Sequence, residues 1–313
     1  MEYTVLGRSG FRVSVAGLGA GGPSRLGLRD DGNEQDAMRI IRQAFDLGVN
    51  LIDTAEAYGT EEVVGKAIKS LPRDRLVIST KKAVPSLKAE EARGEMRAGL
   101  EQSLRRLQTD YVDIYHLHGV EQAQYSFALE EIVPVLQAMQ REGKIRAIGL
   151  TEFFGRDPQH QMLQQALPDD WFDVVMVGFN LLNQSARARV FLATREKNIG
   201  VLIMFAVRRA LSQPARLNQV MEELRQKDLV APSWCGGPEP MGFLIHEGKA
   251  TSYPDAAYRY CRHEPGAHVV LTGTGNPEHL RANLDSLAKP PLPQPVLNKL
   301  QQIFARVDSI TGN

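Results

Sequence analysis

The 313-residue sequence predicts an α/β fold, a single (β/α)8 TIM barrel that takes in the whole chain, residues 1–313. The first observation is a set of eight short apolar runs rich in Val and Ile, which are typical of buried strands. The second is that amphipathic stretches at helical spacing separate most of these runs. Alternating strands and helices predict parallel strands joined by right-handed crossovers, and eight such units close a barrel. The eight runs are VSVAGLG from Val13, NLIDT from Asn50, LVIST from Leu76, YVDIYHLH from Tyr111, IRAIGL from Ile145, FDVVMVGFN from Phe172, VLIMFA from Val201 and HVVLTG from His268.

Three further segments extend this barrel. YTVLGRSGFRV, from Tyr3, has two short runs around Gly-Arg-Ser-Gly and predicts an N-terminal β-hairpin that plugs the barrel floor. An extended loop is expected between the seventh and eighth strands. Its Pro- and Gly-rich part, from Leu229 to Phe243, is expected to close over substrate or cofactor, with Trp234 as its apolar contact. The amphipathic stretch PVLNKLQQIFARVDSI is expected to pack on the outside of the barrel.

The composition argues against several classes of protein. Lys and Arg together number 37, as do Asp and Glu, so the formal charge of zero gives no indication of a nucleic-acid partner. Two cysteines, Cys235 and Cys261, make no disulfide framework and are expected to be packing residues in a reducing compartment. No apolar run approaches the ~20 residues of a membrane span, and the N-terminus has no apolar signal region, so a cytoplasmic protein is expected.

Four chemically distinct side chains follow three consecutive predicted strands. The second strand ends in Asp53, with Tyr58 in the loop behind it, the third ends in Lys81 and Lys82, and the fourth ends in His118. Catalytic groups of such barrels lie at the carboxyl ends of the strands, so these side chains are expected at one rim. Because alternate strand residues face opposite ways, only one of the two lysines points inward.

This group of side chains suits the reversible reduction of a carbonyl. A free tyrosine has a pKa of about 10 and is a poor acid at neutral pH. A nearby ammonium group lowers that pKa, and a carboxylate beside the ammonium holds it charged and in place. Tyr58 is then able to exchange a proton with an oxygen that His118 orients through a hydrogen bond. The hydride has to come from a nicotinamide cofactor.

The same residues carry a resemblance to a known family. The stretches that carry it are N-x-I-D-T-A-x-x-Y-G from Asn50, S-T-K ending at Lys81, D-x-Y-x-x-H from Asp113 and G-K-I-R-A-I-G from Gly143. In order and spacing they resemble the aldo-keto reductases, and the match runs from Tyr3 to about Leu287.

This resemblance implies a catalytic tetrad of Asp53, Tyr58, Lys81 and His118, with Tyr58 as the general acid and base. It selects Lys81 over Lys82, which is left as a surface charge. It also implies that NADP(H) binds in an extended form across the top of the barrel, without a separate dinucleotide-binding domain.

The nicotinamide end of the expected cofactor site departs from the family pattern. After the fifth strand the usual Ser-Asn is Thr151-Glu152, and the usual Gln of the sixth strand is Met176. Met204 aligns with the Tyr that usually stacks on the nicotinamide, and Phe205 follows it. An ionised carboxylate only accepts hydrogen bonds, so Glu152 is expected to bond the carboxamide NH₂ and to leave Thr151 as a donor.

The adenosine end departs from the pattern as well. Gly275 stands where the family often has a basic residue for the 2′-phosphate. NADP(H) is therefore expected with a weakened preference, and NAD(H) is the alternative. The helix beginning near Asn276 is expected to offer backbone N–H groups and its positive dipole end to an anion. Side chains expected to assist are Thr274, Asn276, His279, Arg281 and Asn283 at the adenosine, and Arg208 and Arg209 at the pyrophosphate.

The residues leave several alternatives open. Asp53 and Lys81 could form a merely structural ion pair. His116 and His118 form the His-x-His pattern of metal-dependent barrel hydrolases, but no second cluster completes a coordination set in the sequence, so no metal is predicted. A regulatory or low-activity member of the same fold, which the departures at the cofactor site slightly favour, is the alternative to an active reductase. The aldehyde, ketone or sugar substrate is not identified, and the oligomeric state is open. Side chains that suit either a substrate pocket or the core are Tyr125, Phe153, Phe154 and Trp234.

Overall fold

The computed structural model describes residues 1–29, 32–234 and 239–313, and its described strands form two sheets. Eight parallel strands close into a barrel in the order β10-β3-β4-β5-β6-β7-β8-β9, which confirms the (β/α)8 prediction and all eight predicted strands. The remaining two strands form a separate antiparallel hairpin. The strands are β1 Tyr3–Val5, β2 Arg12–Ser14, β3 Ala16–Gly19, β4 Leu51–Asp53, β5 Val77–Lys82, β6 Val112–Val120, β7 Ile145–Glu152, β8 Val174–Gly178, β9 Gly200–Met204 and β10 Val269–Thr272.

The hairpin of β1 and β2 closes one end of the barrel, as predicted. Leu6, Phe11 and Val13 are buried and belong to the same apolar cluster as the inward-facing residues of the barrel. Gly7, between the two strands, has a φ of +50°, and a Cβ there would lie 2.4 Å from the backbone nitrogen of Gly200. Glycine is therefore required where the hairpin meets β9.

Helices flank the barrel, and their starts follow from local sequence. Asn33, Ser252 and Asn276 each accept a backbone N–H bond at a helix N-terminus, which satisfies donors that the helix itself leaves free. The α-helices of the described ranges are Glu34–Asp46, Glu61–Ile68, Ala89–Leu107, Tyr125–Phe127, Val133–Arg141, Gln161–Ala166, Leu192–Glu196, Arg209–Ser212, Pro214–Gln226, Phe243–His246, Tyr253–Arg262, Pro277–Ala288 and Gln294–Phe304. Two π-helical turns, Ala128–Ile132 and Arg187–Phe191, adjoin them.

The segment between β9 and β10 carries helices on both sides of the predicted lid, and the described residues of the lid are turns and loop apart from the 3-10 turn Pro232–Trp234 and the helical residue Phe243. Four of the α-helices lie there, from Arg209 to Arg262. Residues 235–238, which include Cys235 and the centre of the predicted lid, lie outside the described residues. Trp234 contacts Phe243 edge-on at 6.1 Å, and the Lys299 ammonium lies 5.6 Å from its ring centroid. Trp234 thus packs against the C-terminal helix, Gln294–Phe304, which was itself predicted to pack outside the barrel.

The core has two shells, because successive strand residues face opposite sides. Inside the barrel lie residues such as Ile114 and Ala147, while Tyr115 and Ile148, their neighbours in sequence, face the helices. Cys261 is fully buried in the outer shell, as expected of a packing residue. Among the described residues, no helix combines the length and apolar character needed to cross a membrane.

Candidate active site

The four predicted catalytic residues lie together at the carboxyl ends of β4, β5 and β6. Asp53 is the last residue of β4, and its Cα pairs in register with that of Ser79 on β5. Lys81 pairs with His116 on β6, two residues before His118. The parallel register therefore carries an acid, an ammonium and an imidazole to the same rim, as the sequence predicted.

Asp53 and Lys81 form a buried ion pair at the base of this rim. The Lys81 ammonium lies 2.6 Å from each carboxylate oxygen of Asp53 and donates to the Thr54 carbonyl at 2.7 Å. The Lys81 side chain is fully buried, and the Asp53 side chain is 4% exposed. The Ser79 hydroxyl donates a further bond to Asp53 at 2.7 Å. These bonds satisfy both charges, as burial in a low-dielectric interior requires.

Tyr58 is held above this pair by a short turn. It ends a 3-10 helix, Glu56–Tyr58, and Gly59 follows with a φ of +69°, a conformation that favours glycine. Gly21, in the loop after β3, lies against the Tyr58 ring, because a Cβ there would come within 2.3 Å of the ring carbons. Sequence reasoning missed Gly21, and no local motif marks it.

His118 faces the Tyr58 hydroxyl. Its Nε2 lies 3.4 Å from that oxygen, and the two rings are nearly perpendicular, at 87°. Burial, assisted by the charge of Lys81, lowers the pKa of His118 to about 3. The imidazole is therefore neutral at physiological pH, and one of its nitrogens carries a proton that it can donate.

The acidity of Tyr58 follows from two opposing effects. Burial raises the pKa of its phenol above the ordinary value, the charge of Asp53 adds to that rise, and together they outweigh the lowering by Lys81. The Lys81 ammonium lies 5.2 Å from the Tyr58 ring centroid. Lys81 thus acts in the expected direction, but the expected net fall in the pKa of Tyr58 is wrong because desolvation is larger. Tyr58 is protonated at neutral pH and can give a proton.

Lys82 lies on the opposite side of β5 from Lys81, as strand alternation requires. Its ammonium bonds Glu56 at 2.7 Å and Glu95 at 2.9 Å, and the residue is only 8% exposed. The expectation of a surface charge is wrong, because its aliphatic chain packs on Gly99 of the helix Ala89–Leu107.

A cavity of about 800 Å³ opens beside Tyr58 and Asp53, a volume typical of small-molecule and cofactor sites. It extends past the ends of β8 and β9 to the end of β10 and the start of the helix Pro277–Ala288. Of the predicted cofactor residues, those that line it are Met176, Met204, Phe205, Arg208, Arg209, Thr274, His279 and Asn283. Further lining residues that sequence reasoning missed include Ser24, Gln213, Ser252, Asp255 and Tyr258.

Polar contacts fix several side chains in the cavity wall. The Arg208 guanidinium stacks on Phe205, 4.3 Å from its ring centroid, and bonds Asn313 at 2.8 Å. The amide of Asn283 donates to the Thr272 hydroxyl at 2.9 Å, and that hydroxyl also bonds Tyr258. The cavity wall therefore carries the cations Arg208 and Arg209, the carboxylates Asp53 and Asp255, and neutral donors and acceptors at the β10 end.

Glu152 does not face this cavity, so the expectation that it bonds a nicotinamide carboxamide is corrected. Its side chain is fully buried, and its carboxylate bonds Nδ1 of His160 at 2.9 Å and the backbone N–H of Gly178 at 2.7 Å. Ile148 and Leu150 face the helices, and Glu152 follows at the same parity. This alternation, visible in the sequence, was the signal that could have excluded Glu152. Thr151 is also buried and accepts a bond from the Gly119 N–H at 2.6 Å.

Two predicted residues at the adenosine end also have other contacts. A Cβ on Gly275 would lie 2.3 Å from Cα of Gly27, so the loop after β3 occupies the space of a side chain there. The Asn276 side chain caps its own helix by accepting the N–H groups of Glu278 and His279, at 2.7 and 3.2 Å. Two of the backbone donors expected to be free for an anion are therefore already satisfied.

Of the four candidate substrate-pocket residues, Trp234 packs against the C-terminal helix and the other three separate into core and rim. Phe154 and Tyr125 are buried, and the Tyr125 hydroxyl bonds Asp169 at 2.8 Å. Phe153 is 41% exposed and lies against Gly119, the residue after His118. It is therefore the one of the four that remains exposed beside the tetrad. Within the described ranges, no group of three or more His, Cys, Asp or Glu side chains is placed to hold a metal ion.

Comparison with known proteins agrees with this geometry. The sequence profile of the aldo/keto reductase family matches residues 17–305. The chain belongs to the aldo/keto reductase family. It is 30% identical over 300 residues to the aldo-keto reductase YhdN of Bacillus subtilis, covering 90% of this chain and 87% of that protein. It is also 30% identical over 322 residues to the NADH-specific methylglyoxal reductase of Escherichia coli, covering 92% of this chain and 94% of that protein.

A solved structure supports the same assignment. The thermostable aldo-keto reductase Tm1743, in complex with the inhibitor epalrestat, superposes with a TM-score of 0.73 at 26% identity, covering 97% of this chain and all of that chain. The chain is accordingly an NAD(P)H-dependent oxidoreductase, and reduction of carbonyl groups is general in its family.

Proposed function

We propose that residues 1–313 form one domain that interconverts a small aldehyde, ketone or sugar with its alcohol, using Tyr58 as the proton donor and acceptor. The observation that carries this proposal is the position of the Tyr58 hydroxyl. It lies 3.4 Å from neutral His118 and above the Asp53–Lys81 pair, at the mouth of a cavity large enough for a cofactor. A purely structural Asp53–Lys81 pair would leave this placement of Tyr58 and His118 without a role.

The chemistry of reduction divides between the cofactor and the chain. A bound reduced nicotinamide supplies the hydride to the carbonyl carbon. The Tyr58 hydroxyl gives its proton to the carbonyl oxygen, and the alcohol returns it in the reverse direction. His118 donates a hydrogen bond to the same oxygen and orients it. The ammonium of Lys81 stabilises the phenolate that forms when Tyr58 has lost its proton, and Asp53 holds the ammonium in place.

The cavity suggests how the chain holds the dinucleotide. Met176, Met204 and Phe205 form an apolar wall near Tyr58. Arg208 and Arg209 are placed for a pyrophosphate, a group that NADP(H) and NAD(H) share. Thr274, His279 and Asn283 line the far end, where the two cofactors differ. NADP(H) follows from the family resemblance, while the absence of a side chain at Gly275 and the NADH-specific relative keep NAD(H) as an alternative.

A screen for carbonyl-dependent oxidation of NADPH or NADH tests the proposal directly. Purified protein is mixed with NADPH or NADH and a panel of aldehydes, ketones and sugars, and the loss of absorbance of the reduced cofactor is followed. Turnover with at least one carbonyl, lost in Tyr58→Phe, is the expected result. Tight cofactor binding with no turnover across the panel would instead favour a regulatory member of the family. We expect the active reductase to be cytoplasmic, and measuring the same activity in cell fractions checks this location.

A further inference from the structure

Glu152 and His160 form a buried pair just behind the wall of the cavity. Both side chains are fully buried, and Glu152 bonds Nδ1 of His160 and the backbone N–H of Gly178, the last residue of β8. His160 has a φ of +60°, in the left-handed region, where histidine occurs more often than most residues other than glycine. The bond from Glu152 holds its ring in place.

The pair connects to the cavity through two aromatic rings. The His160 ring stacks on Phe154 at 5.4 Å and 16°. The Phe154 ring lies directly over Gly178, since a Cβ at that residue would come within 2.1 Å of it. Phe154 in turn contacts Phe205 edge-on, at 5.3 Å and 80°. A continuous row of contacts thus runs from Glu152 to a residue that lines the cavity.

Phe205 is the residue that needs this support. Its φ is +66°, a genuine outlier for an aromatic side chain, which persists only where the surrounding structure holds it. Its carbonyl accepts a bond from the Asn180 amide at 3.2 Å, and its ring lies between Phe154 and the Arg208 guanidinium. Met204, the preceding residue, pairs in register with Gly178, the residue that Glu152 bonds. Backbone and side-chain contacts therefore both lead from Glu152 to the Met204–Phe205 segment.

We infer that Glu152 and His160 are positioning residues, which hold the Met204–Phe205 wall in the conformation that receives the nicotinamide end of the cofactor. The inference rests on the proposed function, because it assumes that this wall faces the nicotinamide. It assigns the carboxylate at position 152 an indirect role through the protein, with no direct contact to the cofactor.

The test compares two buried carboxylates that bridge neighbouring strands. Asp113 on β6 accepts the backbone N–H of Ile78 on β5 at 2.8 Å, just as Glu152 on β7 accepts that of Gly178 on β8. Asp113 lies at the other end of the barrel, where it also bonds Arg146 at 2.6 Å. Glu152→Ala and Asp113→Ala therefore both remove a buried strand-bridging carboxylate, but only the first lies behind the cavity wall.

Cofactor dissociation constants are measured by quenching of protein fluorescence with NADPH and NADH, and melting temperatures are measured in parallel. Glu152→Ala is expected to weaken binding of the reduced cofactor about tenfold, equivalent to ~1.4 kcal/mol. Asp113→Ala is expected to lower the melting temperature but to leave the dissociation constant within about twofold of wild type. Glu152→Gln keeps an acceptor for the Gly178 N–H and offers its NH₂ to Nδ1 of the other His160 tautomer, so it is expected to restore binding.

Two results would overturn the inference: unchanged cofactor binding in folded Glu152→Ala, or equal weakening in Asp113→Ala. If Glu152→Ala does not fold, the cofactor dissociation constant of Phe154→Leu tests the inference instead. It keeps an apolar group of similar burial but removes the stack between His160 and Phe205. Weaker binding in that variant supports the inference, and wild-type binding refutes it. Because binding is measured without turnover, failure of the proposed reaction would show separately, in the wild-type carbonyl screen.

Discussion

The Lys81 ammonium lies 2.6 Å from both carboxylate oxygens of Asp53 and 2.7 Å from the Thr54 carbonyl oxygen. Three acceptors therefore surround a fully buried cation that has three N–H groups. This arrangement fixes the ammonium beneath Tyr58, where it can stabilise a phenolate. It also makes the stability of the barrel depend on keeping the pair intact.

Removing one partner of this pair is expected to be costly. Asp53→Asn leaves the Lys81 ammonium buried without a counter-charge, so the free energy of unfolding should fall by ~3–5 kcal/mol. Ser79→Ala is the control, because it removes a single hydroxyl donor to the same carboxylate. The control should lose only ~1–3 kcal/mol. Urea denaturation measures both variants, and a loss below that of Ser79→Ala would contradict a charged Lys81.

Replacing Tyr58 by Phe removes the proton donor and keeps the ring. We expect kcat for carbonyl reduction to fall by ~10²-fold or more, within the usual contribution of a general acid. The cofactor dissociation constant should stay near the wild-type value. Tyr125→Phe is the matched control, since its hydroxyl bonds Asp169 instead of facing the cavity. Near wild-type kcat in Tyr58→Phe would exclude Tyr58 as the donor.

The pH dependence of kcat/KM reports the ionisation of the free enzyme. Burial raises the pKa of Tyr58 above 10.0, so the protonated donor persists through neutral and mildly alkaline pH and is lost only above that value. The pKa of His118, lowered to about 3, keeps the imidazole neutral above that pH. The rate of reduction should therefore be flat from weakly acidic to moderately alkaline pH. Stopped-flow measurements check this rate at each pH. A steep change in the rate of reduction near neutral pH would assign the proton transfer to another group.

The sequence predicts a residue of this site well when its position on a strand places it there, and poorly when a contact with a distant segment does. Asp53 and His118 follow from their positions at the ends of strands, because parallel strands bring those ends to one rim, whereas the choice of Lys81 over Lys82 came from the family resemblance. Glu152 was assigned to the cavity by alignment with a motif, although strand alternation with Leu150 turns it toward the helices. Local periodicity was the better guide at that residue.

Contacts between distant segments could not be predicted in this way. Gly21 approaches Tyr58, and Gly27 approaches Gly275, because the loop after β3 folds over the barrel rim. No periodicity or spacing in the sequence carries information on that loop. The left-handed conformation of Phe205 is likewise set by its tertiary contacts, since the residue type itself disfavours it.

The contact of Gly21 with Tyr58 leads to a further prediction. In Gly21→Ala the new methyl group would lie within 2.3–2.7 Å of the ring, so the ring or the loop that carries residue 21 has to shift. Displacement of a catalytic group by about 1 Å can cost ~10²-fold in rate, and we expect kcat to fall by at least about tenfold. Gly94→Ala is the control, because it lies in the helix Ala89–Leu107 with no atom close to its added methyl group. It should leave kcat unchanged and slightly raise the melting temperature. Equal kcat in the two variants would contradict this prediction and mean that catalysis tolerates a displaced Tyr58 ring.

Cofactor preference is expected to respond to an arginine at His279 but not at Gly275. An arginine at Gly275 would force its Cβ to within 2.3 Å of the Gly27 backbone, so Gly275→Arg should displace the loop and weaken the binding of both cofactors.

His279 is exposed and lines the far end of the cavity, where a guanidinium can meet a 2′-phosphate with a bidentate pair of bonds. We expect His279→Arg to raise the ratio of kcat/KM for NADPH over NADH about tenfold, a gain of ~1.4 kcal/mol. His279→Gln, which adds no charge, is its control and should leave the ratio near that of wild type. If His279→Arg leaves the ratio unchanged while Gly275→Arg raises it, the 2′-phosphate binds beside Gly275 and the loop after β3 yields to admit it.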